Sequence, residues 1–145
     1  MNMKKLLTIS ILALILTSCT SNETRYSEKV VRRHDNNSPW IVFCYDVTGK
    51  DSVCVSEKWF HDNGVLNLEG PIVNGKREGH FKGYYPSGKL MSEGDFKNGL
   101  REGRGVVYHE NGSVSIEGDY REGDPTGIWT FYNEEGEIID VHDFQ

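Results

Sequence analysis

The fold is decided by YYPSGKLMSEGDFKNGLREGRGVV (residues 84–107) and by the segment that follows it, YHENGSVSIEGDYREGDPTGIWTF (residues 108–131). The two segments are in register at a period of 24 residues, and the period extends to both sides of them. A period of this length is typical of repeat proteins, in which each unit packs only on its neighbours. Glycines recur in four columns: 64, 88, 112 and 136; 70, 94 and 118; 75, 99 and 123; and 79, 103 and 127.

Two of the glycine columns separate apolar segments and predict tight turns. A two-residue hairpin turn of the primed type needs positive φ, which glycine and asparagine supply at low cost. Each repeat therefore contributes two strands, and every junction is a reversal of the chain. The predicted turns are Asn63-Gly64, Ser87-Gly88, Asn111-Gly112 and Glu135-Gly136, alternating with Asn74-Gly75, Asn98-Gly99 and Glu122-Gly123.

Apolar residues alternate within the predicted strands. Trp129 and Phe131 flank Thr130, and Val107 should face Ile116 across a turn. A tyrosine column at 84, 108 and 132 points to the other face, so neither face is purely polar. The sequence predicts an all-β fold: an elongated, single-layer antiparallel meander of repeated 24-residue β-hairpins, rather than a closed barrel.

One glycine column lies inside the strands. Gly70, Gly94 and Gly118 predict either bulges or a close approach of stacked aromatic rings.

The repeats resemble a known family. The motif Gly83-Tyr-Tyr-Pro-Ser-Gly-Lys-Leu90, followed by Glu93-Gly-Asp-Phe-Lys-Asn-Gly99 and Glu102-Gly103, is similar to the bacterial variant of the MORN repeat, and the similarity covers about residues 57–144. The resemblance implies a β-hairpin array used for protein contact, and in some relatives for membrane contact or dimerisation. Some bacterial members of the family are antitoxins.

The N-terminus is typical of an exported lipoprotein. Lys4 and Lys5 precede an eleven-residue apolar run, Leu6–Leu16, which is too short to span a bilayer. Leu16-Thr-Ser-Cys19 resembles the bacterial lipobox. That resemblance implies cleavage before Cys19 and acyl chains such as palmitate on it, and several chains anchor a protein stably. We expect a lipid-anchored protein of the bacterial envelope, with the outer membrane favoured in a Gram-negative host.

The charge distribution narrows the choice of partners. Residues 56–145 carry nine basic and seventeen acidic residues, a net charge of −8, whereas residues 19–55 are balanced. Such a surface repels phosphate backbones and anionic headgroups, which argues against nucleic acid and against lipid binding by the array. The membrane contact is then expected through the lipid on Cys19, and the sheet is left free for a protein partner.

The chain divides into four segments by composition. Residues 1–18 are interpreted as the signal peptide, and residues 19–38, which are polar and lack an apolar period, as a flexible tether. Residues 39–56 form an N-terminal strand or hairpin cap, and residues 57–145 the repeat array.

Cys44 and Cys54 are candidates for a disulfide, because the envelope permits disulfides. A turn at Thr48-Gly49-Lys50 places the two cysteines opposite each other, whereas a two-residue Thr48-Gly49 turn shifts the register by one. A disulfide and a pair of small buried thiols both remain open.

A carboxylate column at Glu69, Glu93 and Glu117 invites a metal-site interpretation. Equivalent residues in successive hairpins lie two strands apart, roughly 9 to 10 Å. Calcium ligands lie within about 2.6 Å of the ion, so a solvated or lysine-paired ladder is favoured over a metal site. No nucleophile motif accompanies the dispersed histidines, and neither catalysis nor a cofactor is expected.

Trp40 and Trp59 occupy less regular positions and are the candidates for partner contact, although packing against neighbouring strands is the default. The sequence therefore predicts a membrane-tethered, non-catalytic protein-interaction scaffold. The alternative is an immunity or antitoxin lipoprotein whose acidic array meets a basic toxin.

Overall fold

A computed structural model describes residues 25–145. They form a single open antiparallel sheet of 11 strands in a meander, without a helix among these residues, which confirms the predicted fold class. Ten strands follow one another across the sheet, and the two-residue strand β5 pairs only with β4. The strands are β1 (Tyr26–Arg33), β2 (Pro39–Asp46), β3 (Val53–Phe60), β4 (Leu66–Val73), β5 (Lys76–Arg77), β6 (Gly79–Tyr84), β7 (Leu90–Lys97), β8 (Leu100–Tyr108), β9 (Val114–Arg121), β10 (Asp124–Tyr132) and β11 (Ile138–Phe144).

The two classes of turn differ in geometry. At Asn98-Gly99 both residues have positive φ and Lys97 pairs with Leu100, so this turn is the predicted two-residue primed type. At Asn111-Gly112 only the glycine has positive φ, and its N–H donates to the carbonyl of His109 at 2.9 Å. The prediction of a primed turn is wrong for this second class, because a type I turn closed by a left-handed glycine needs positive φ at one residue only.

The glycines inside the strands make room for aromatic rings. A Cβ on Gly70 would collide with the ring of Phe81, and one on Gly118 with the ring of Trp129. The close approach predicted for this column is therefore confirmed at these two positions. A shift in register instead accompanies Gly103, which has a φ of 72° and lies where the pairing of β7 with β8 slips.

The N-terminal edge of the sheet differs from the expectation for residues 19–38. Residues 26–33 form β1, which pairs antiparallel with β2, so the prediction of a flexible tether is wrong for these residues. The reason is that β2 presents an unpaired edge of backbone donors and acceptors, which a polar segment with two adjacent valines can satisfy. Sequence polarity alone does not reveal this pairing.

The two faces of the sheet have different chemistry. The carboxylate face carries Glu69, Glu93 and Glu117 together with the tyrosines that bond to them. The arginine–aromatic face carries alternating arginine and aromatic side chains, and three of its side chains, Phe81, Trp129 and Glu57, are among the most buried. In the repeat array the most buried side chains therefore lie on the arginine–aromatic face, whereas in β2 Val42 and Cys44 are buried on the carboxylate face.

Candidate interaction surface

The arginine–aromatic face is a continuous stack that connects successive repeats. The guanidinium of Arg77 lies 5.1 Å from the ring centroid of Phe81 and 5.4 Å from that of Phe96. Arg101 repeats the arrangement one period later, at 5.3 Å from Phe96 and 5.1 Å from Tyr120. Cation–π contacts of this kind are attractive and shield the rings from water. This face is therefore occupied by contacts within the chain.

A buried carboxylate ends the stack on the N-terminal side. Glu57 is 6% exposed and accepts hydrogen bonds from Arg77 Nε at 2.5 Å and from Trp59 Nε1 at 3.0 Å. A buried charge needs a paired partner, and both carboxylate oxygens have a donor here. Glu57 is thus a structural ion-pair partner for Arg77 and is not free to bind a ligand.

The carboxylate face presents its charges in a line that runs across the sheet. Each residue of this line is the direct cross-strand partner of the next one. The line is Lys58, Glu69, Lys82, Glu93, Val106, Glu117, Thr130 and Val141. Lysines face the glutamates in the first half of the line, as the lysine-paired interpretation expects. In the second half, Val106 and Thr130 take the places of the lysines, so Glu93 and Glu117 flank a neutral residue.

Tyrosines hold the three carboxylates in place. The hydroxyl of Tyr84 donates to Glu69 at 3.0 Å, that of Tyr108 to Glu93 at 2.6 Å, and that of Tyr132 to Glu117 at 2.7 Å. Each tyrosine lies fifteen residues after its glutamate, on the same face of the sheet. We call these three glutamates the carboxylate row. The row is pre-organised, because each side chain is fixed by a hydrogen bond that recurs at the repeat period.

The hydrogen bonds also favour the charged form of two members of the row, Glu93 and Glu117. The Tyr108 hydroxyl and, after it, His80 hold the pKa of Glu93 below its ordinary value. Tyr132 and then Arg104 do the same for the pKa of Glu117. In return, Glu93 raises the pKa of the Tyr108 hydroxyl. At neutral pH the two glutamates are therefore anionic and the tyrosines neutral donors.

Basic side chains meet the row at two points. His80 lies 2.9 Å from Asp95 and 3.2 Å from Glu93, and the bond to Asp95 in particular raises the pKa of the imidazole. Arg104 bonds to Glu117. About a quarter of the Glu93 and Glu117 side chains, 28% and 26%, remains exposed. The carboxylates are thus reachable by a partner in spite of their contacts.

An open hollow of 380 Å³ lies on this face over β3, β4 and β6. Its wall includes Lys58, Glu69, His80 and Lys82, so both signs of charge line it. The hollow is a dent in an open sheet, and its charged lining suits the side chains of a protein partner better than an apolar small molecule.

Near the turns, side chains at one repeat position make hydrogen bonds to the backbone of the next repeat. His61 Nε2 lies 2.8 Å from the carbonyl of Tyr84, and His109 Nε2 lies 2.9 Å from that of Tyr132. Tyr85 occupies the same column between them and donates to the carbonyl of Tyr108 at 2.6 Å. Because a carbonyl only accepts, both imidazoles must donate from Nε2. These histidines are therefore engaged as structural donors.

The structure places Trp40 and Trp59 against each other. Their rings meet edge to face at a centroid distance of 6.2 Å, and Arg32 covers Trp40 at 5.5 Å. Trp59 also bonds to Glu57. Both tryptophans are half-buried, so packing accounts for their contacts within the chain.

Cys44 and Cys54 are free thiols in the structure. A register shift between Cys44 and Tyr45 sets Cys54 opposite Tyr45 and Cys44 opposite Ser56. Cys44 then lies beside Glu28 on the carboxylate face, whereas Cys54 borders a hollow with Arg77 on the other face. The candidate disulfide is not formed, because the shift separates the two thiols across the sheet.

The predicted signal peptide, residues 1–18, and Cys19 lie outside the described residues. Within residues 25–145, no helix is long and apolar enough to cross a membrane. In the same range, no group of three or more histidine, cysteine, aspartate or glutamate side chains is arranged to hold a metal ion.

Comparison with known proteins supports the repeats. The MORN repeat variant family matches residues 77–98 and 101–122, which are two consecutive repeats of the array. Repeats of this family are in general non-catalytic interaction repeats. No curated protein matches the chain in sequence.

A solved structure of the GtfA/B complex bound to UDP and GlcNAc is similar over 88% of this chain and 25% of that chain. The sequence identity is 11% and the TM-score is 0.33, which is too low to support a statement about activity. The chain spans about a quarter of that protein.

The sequence carries a periodic signal for the hydrogen bonds of the carboxylate row. Glu69 and Tyr84 recur together as Glu93 with Tyr108 and as Glu117 with Tyr132, always fifteen residues apart. A constant spacing between two columns indicates a contact that every repeat makes. The arginine stack also had a periodic signal, since Arg77 and Arg101 are one period apart. Glu57, the partner of Arg77, has no such periodic signal, because the equivalent position in the next repeat is Phe81.

Proposed function

We propose that this protein is a non-catalytic, lipid-tethered interaction scaffold whose carboxylate face receives a protein partner with a basic surface. The observation that carries the proposal is the carboxylate row. Three glutamates recur at the repeat period, each fixed by a tyrosine. Pre-organised charges bind a partner without a further loss of side-chain freedom, which lowers the cost of association.

The two faces differ in their availability. The arginine–aromatic face is occupied by its own stack, and Phe81 there is 2% exposed. On the carboxylate face, Glu93 and Glu117 remain about a quarter exposed beside the neutral Val106. A partner that offers lysine or arginine side chains to this half of the row would meet two anions on either side of Val106, of which Glu117 has no directly opposing lysine.

A pair of adjacent valines provides a direct test. Val106 pairs with Glu93 and Glu117 and lies on the carboxylate face, whereas Val107 pairs with Ser92 and Ile116 and lies on the opposite face. A photo-crosslinking amino acid at position 106, introduced in living cells, is expected to capture the partner, and the same group at position 107 is not. Equal capture from both positions, or none from 106 in a folded protein, would overturn the assignment of the face.

The captured partner then tests the chemistry. The double variant Glu93→Gln/Glu117→Gln removes two charges and keeps an acceptor for each tyrosine. We expect weaker and less salt-sensitive binding of the identified partner. Glu134→Gln/Glu135→Gln, at an exposed turn, is the control with the same change in charge. Equal binding by both double variants would exclude the carboxylate row.

The lipid anchor at Cys19 is a separate part of the proposal. Its support is the similarity of Leu16-Thr-Ser-Cys19 to a lipobox after an apolar run of eleven residues. Cys19→Ala is expected to release the protein from the membrane fraction, and mass spectrometry of the wild-type protein is expected to show an acylated Cys19 as the first residue. A membrane-bound Cys19→Ala variant would contradict the anchor.

The same acidic surface supports a second candidate function, an immunity or antitoxin lipoprotein that neutralises a basic toxin. The excess of acidic residues in residues 56–145 favours this candidate. Deletion of the gene should sensitise cells to the product of a neighbouring toxin gene, and Glu93→Gln/Glu117→Gln should protect less well than the wild type. Unchanged sensitivity after deletion would exclude this function and leave the scaffold intact.

A further inference from the structure

Among residues 25–145, no strand pairs with the outer sides of the two edge strands, β1 and β11, which have opposite charges. Every residue of β1 and of β11 is exposed. Strand β1 carries Lys29, Arg32 and Arg33 against a single acid, Glu28, which is already paired with Lys58. Strand β11 carries two aspartates and neither lysine nor arginine. Pairing of like edges would oppose like charges, whereas β1 and β11 are complementary.

Both edges also expose large apolar side chains. Val30 and Val31 on β1 are 36% and 40% exposed, and Ile138 and Ile139 on β11 are 62% and 64% exposed. The strands have similar lengths, eight and seven residues. Exposed apolar side chains on an unpaired edge are a surface for strand addition.

The topology allows β1 of a second copy to extend the sheet beyond β11 of the first copy. The path across the sheet contains ten strands, and each pair of neighbours is antiparallel. Because ten is an even number, a second copy placed in the same orientation presents its β1 antiparallel to β11 of the first. Its two faces then continue those of the first copy, and no flip of the sheet is needed.

We propose that copies of this chain associate head to tail, with β11 of one copy pairing with β1 of the next. One register keeps the faces continuous and sets Asp140 against Lys29 and Ile139 against Val30. It brings opposite charges together on the arginine–aromatic face and apolar side chains together on the carboxylate face. The contact is heterologous, so association is open-ended and extends the sheet by one array per copy.

The full chain, extracted in mild detergent, tests the proposal by sedimentation over a range of concentrations. The wild type is expected to grow beyond a dimer as concentration rises, and added salt should reduce the growth. Asp140→Lys or Lys29→Asp alone should weaken association about tenfold, because each replaces an attraction by a repulsion. Asp119→Lys and Lys97→Asp, exposed on inner strands, make the same changes in charge and should leave association unchanged.

A mixture of the two edge variants gives the decisive result. Asp140→Lys leaves β11 without net charge and sets a lysine against Lys29, and Lys29→Asp sets an aspartate against Asp140, so each fails with itself. Mixed in equal amounts, they should co-assemble, because the lysine introduced in one variant faces the aspartate introduced in the other. Far-UV circular dichroism confirms that both variants are folded. A wild type that stays monomeric, growth that stops at a dimer, or a mixture that fails to assemble would each overturn head-to-tail pairing.

The proposal is independent of the carboxylate row. Strand pairing uses the edges and leaves Glu93 and Glu117 as accessible as before, on β7 and β9. Loss of assembly in the edge variants with normal partner capture from position 106 would therefore separate the two surfaces.

Discussion

The two faces of the sheet hold the repeats together by different means. On the arginine–aromatic face, Arg77 and Arg101 lie between rings, and Phe81 is almost fully buried. On the carboxylate face, Glu93 and Tyr108 make a hydrogen bond at a partly exposed site. Burial and packing contribute more to stability than exposed polar pairs do. A single-layer sheet can thus keep one face for its own stability and leave the other for recognition.

Truncation of the packed face should have the largest effect. Phe81→Ala removes a ring that is 2% exposed and lies on Gly70, and we expect a loss of roughly 3 to 5 kcal/mol in the free energy of unfolding. Tyr84→Ala, on the same strand and the opposite face, is the control. Chemical denaturation measures both, and an equal loss would mean that the two faces do not differ in packing.

Removal of the arginine that pairs with the buried carboxylate should have the next largest effect. Arg77→Met leaves Glu57 buried without its ion pair, at a cost of about 3 kcal/mol. Arg101→Met loses cation–π contacts only and should cost about 1 kcal/mol. In the double variant Arg77→Met/Glu57→Gln, much of the loss should be recovered. Additive losses in this cycle would show that the two side chains are not coupled.

A methyl group placed beneath a ring should lower the free energy of unfolding by less than the loss of Arg77 does. Gly118→Ala forces the ring of Trp129 to move, and about 2 kcal/mol is expected from overpacking. Gly94→Ala is the control, because its new Cβ would lie 3.3 Å from the carbonyl oxygen of Arg104 and meets no ring. The midpoint temperature of thermal unfolding should be well below that of Gly94→Ala for the Gly118→Ala variant. The reverse order would contradict the close approach of Trp129.

Loss of a single bond on the carboxylate face should have a small effect that depends on pH. Tyr108→Phe is expected to cost about 1 kcal/mol at neutral pH. Since the pKa of Glu93 is lowered in the folded state, its contribution is present above the ordinary value near 4.5 and is lost as the pH falls below it. The difference between Tyr108→Phe and the wild type should therefore shrink in acid.

The raised pKa of Tyr108 makes the same bond sensitive to alkali. A raised pKa stabilises the folded state below the ordinary value near 10, and that contribution is lost as the pH rises through the folded value. A pH-independent difference between Tyr108→Phe and the wild type would contradict the bond to Glu93.

The smallest effect is expected from the cysteines. Because Cys44 and Cys54 lie on opposite faces, addition of a reductant should change the free energy of unfolding by less than about 0.5 kcal/mol. Thiol alkylation of the unfolded, unreduced protein should label both residues. Labelling only after reduction would show that the strands shift register to form a disulfide.

The repeat period made most of the array predictable. Gly99 and Gly123 follow residues with positive φ in two-residue turns, as the sequence indicates. Val107 pairs with Ile116, which follows from the alternation of apolar residues around the turn at Gly112. The glutamate and tyrosine columns are both visible in the sequence, and their constant spacing of fifteen residues is the signal for the hydrogen bonds between them.

The sequence by itself determined the class of fold, the position of the strands in the array and the absence of a helical pattern, because turn chemistry and alternation are local properties. Only the tertiary structure decided that residues 26–33 pair with β2, that the strands slip at Gly103, and that Arg77 covers Phe81. These features depend on which backbone edge lies free and which side chain meets a ring across strands. They are decided by packing between strands, which the alternation of residues within one strand does not encode even where the residues are close in the chain.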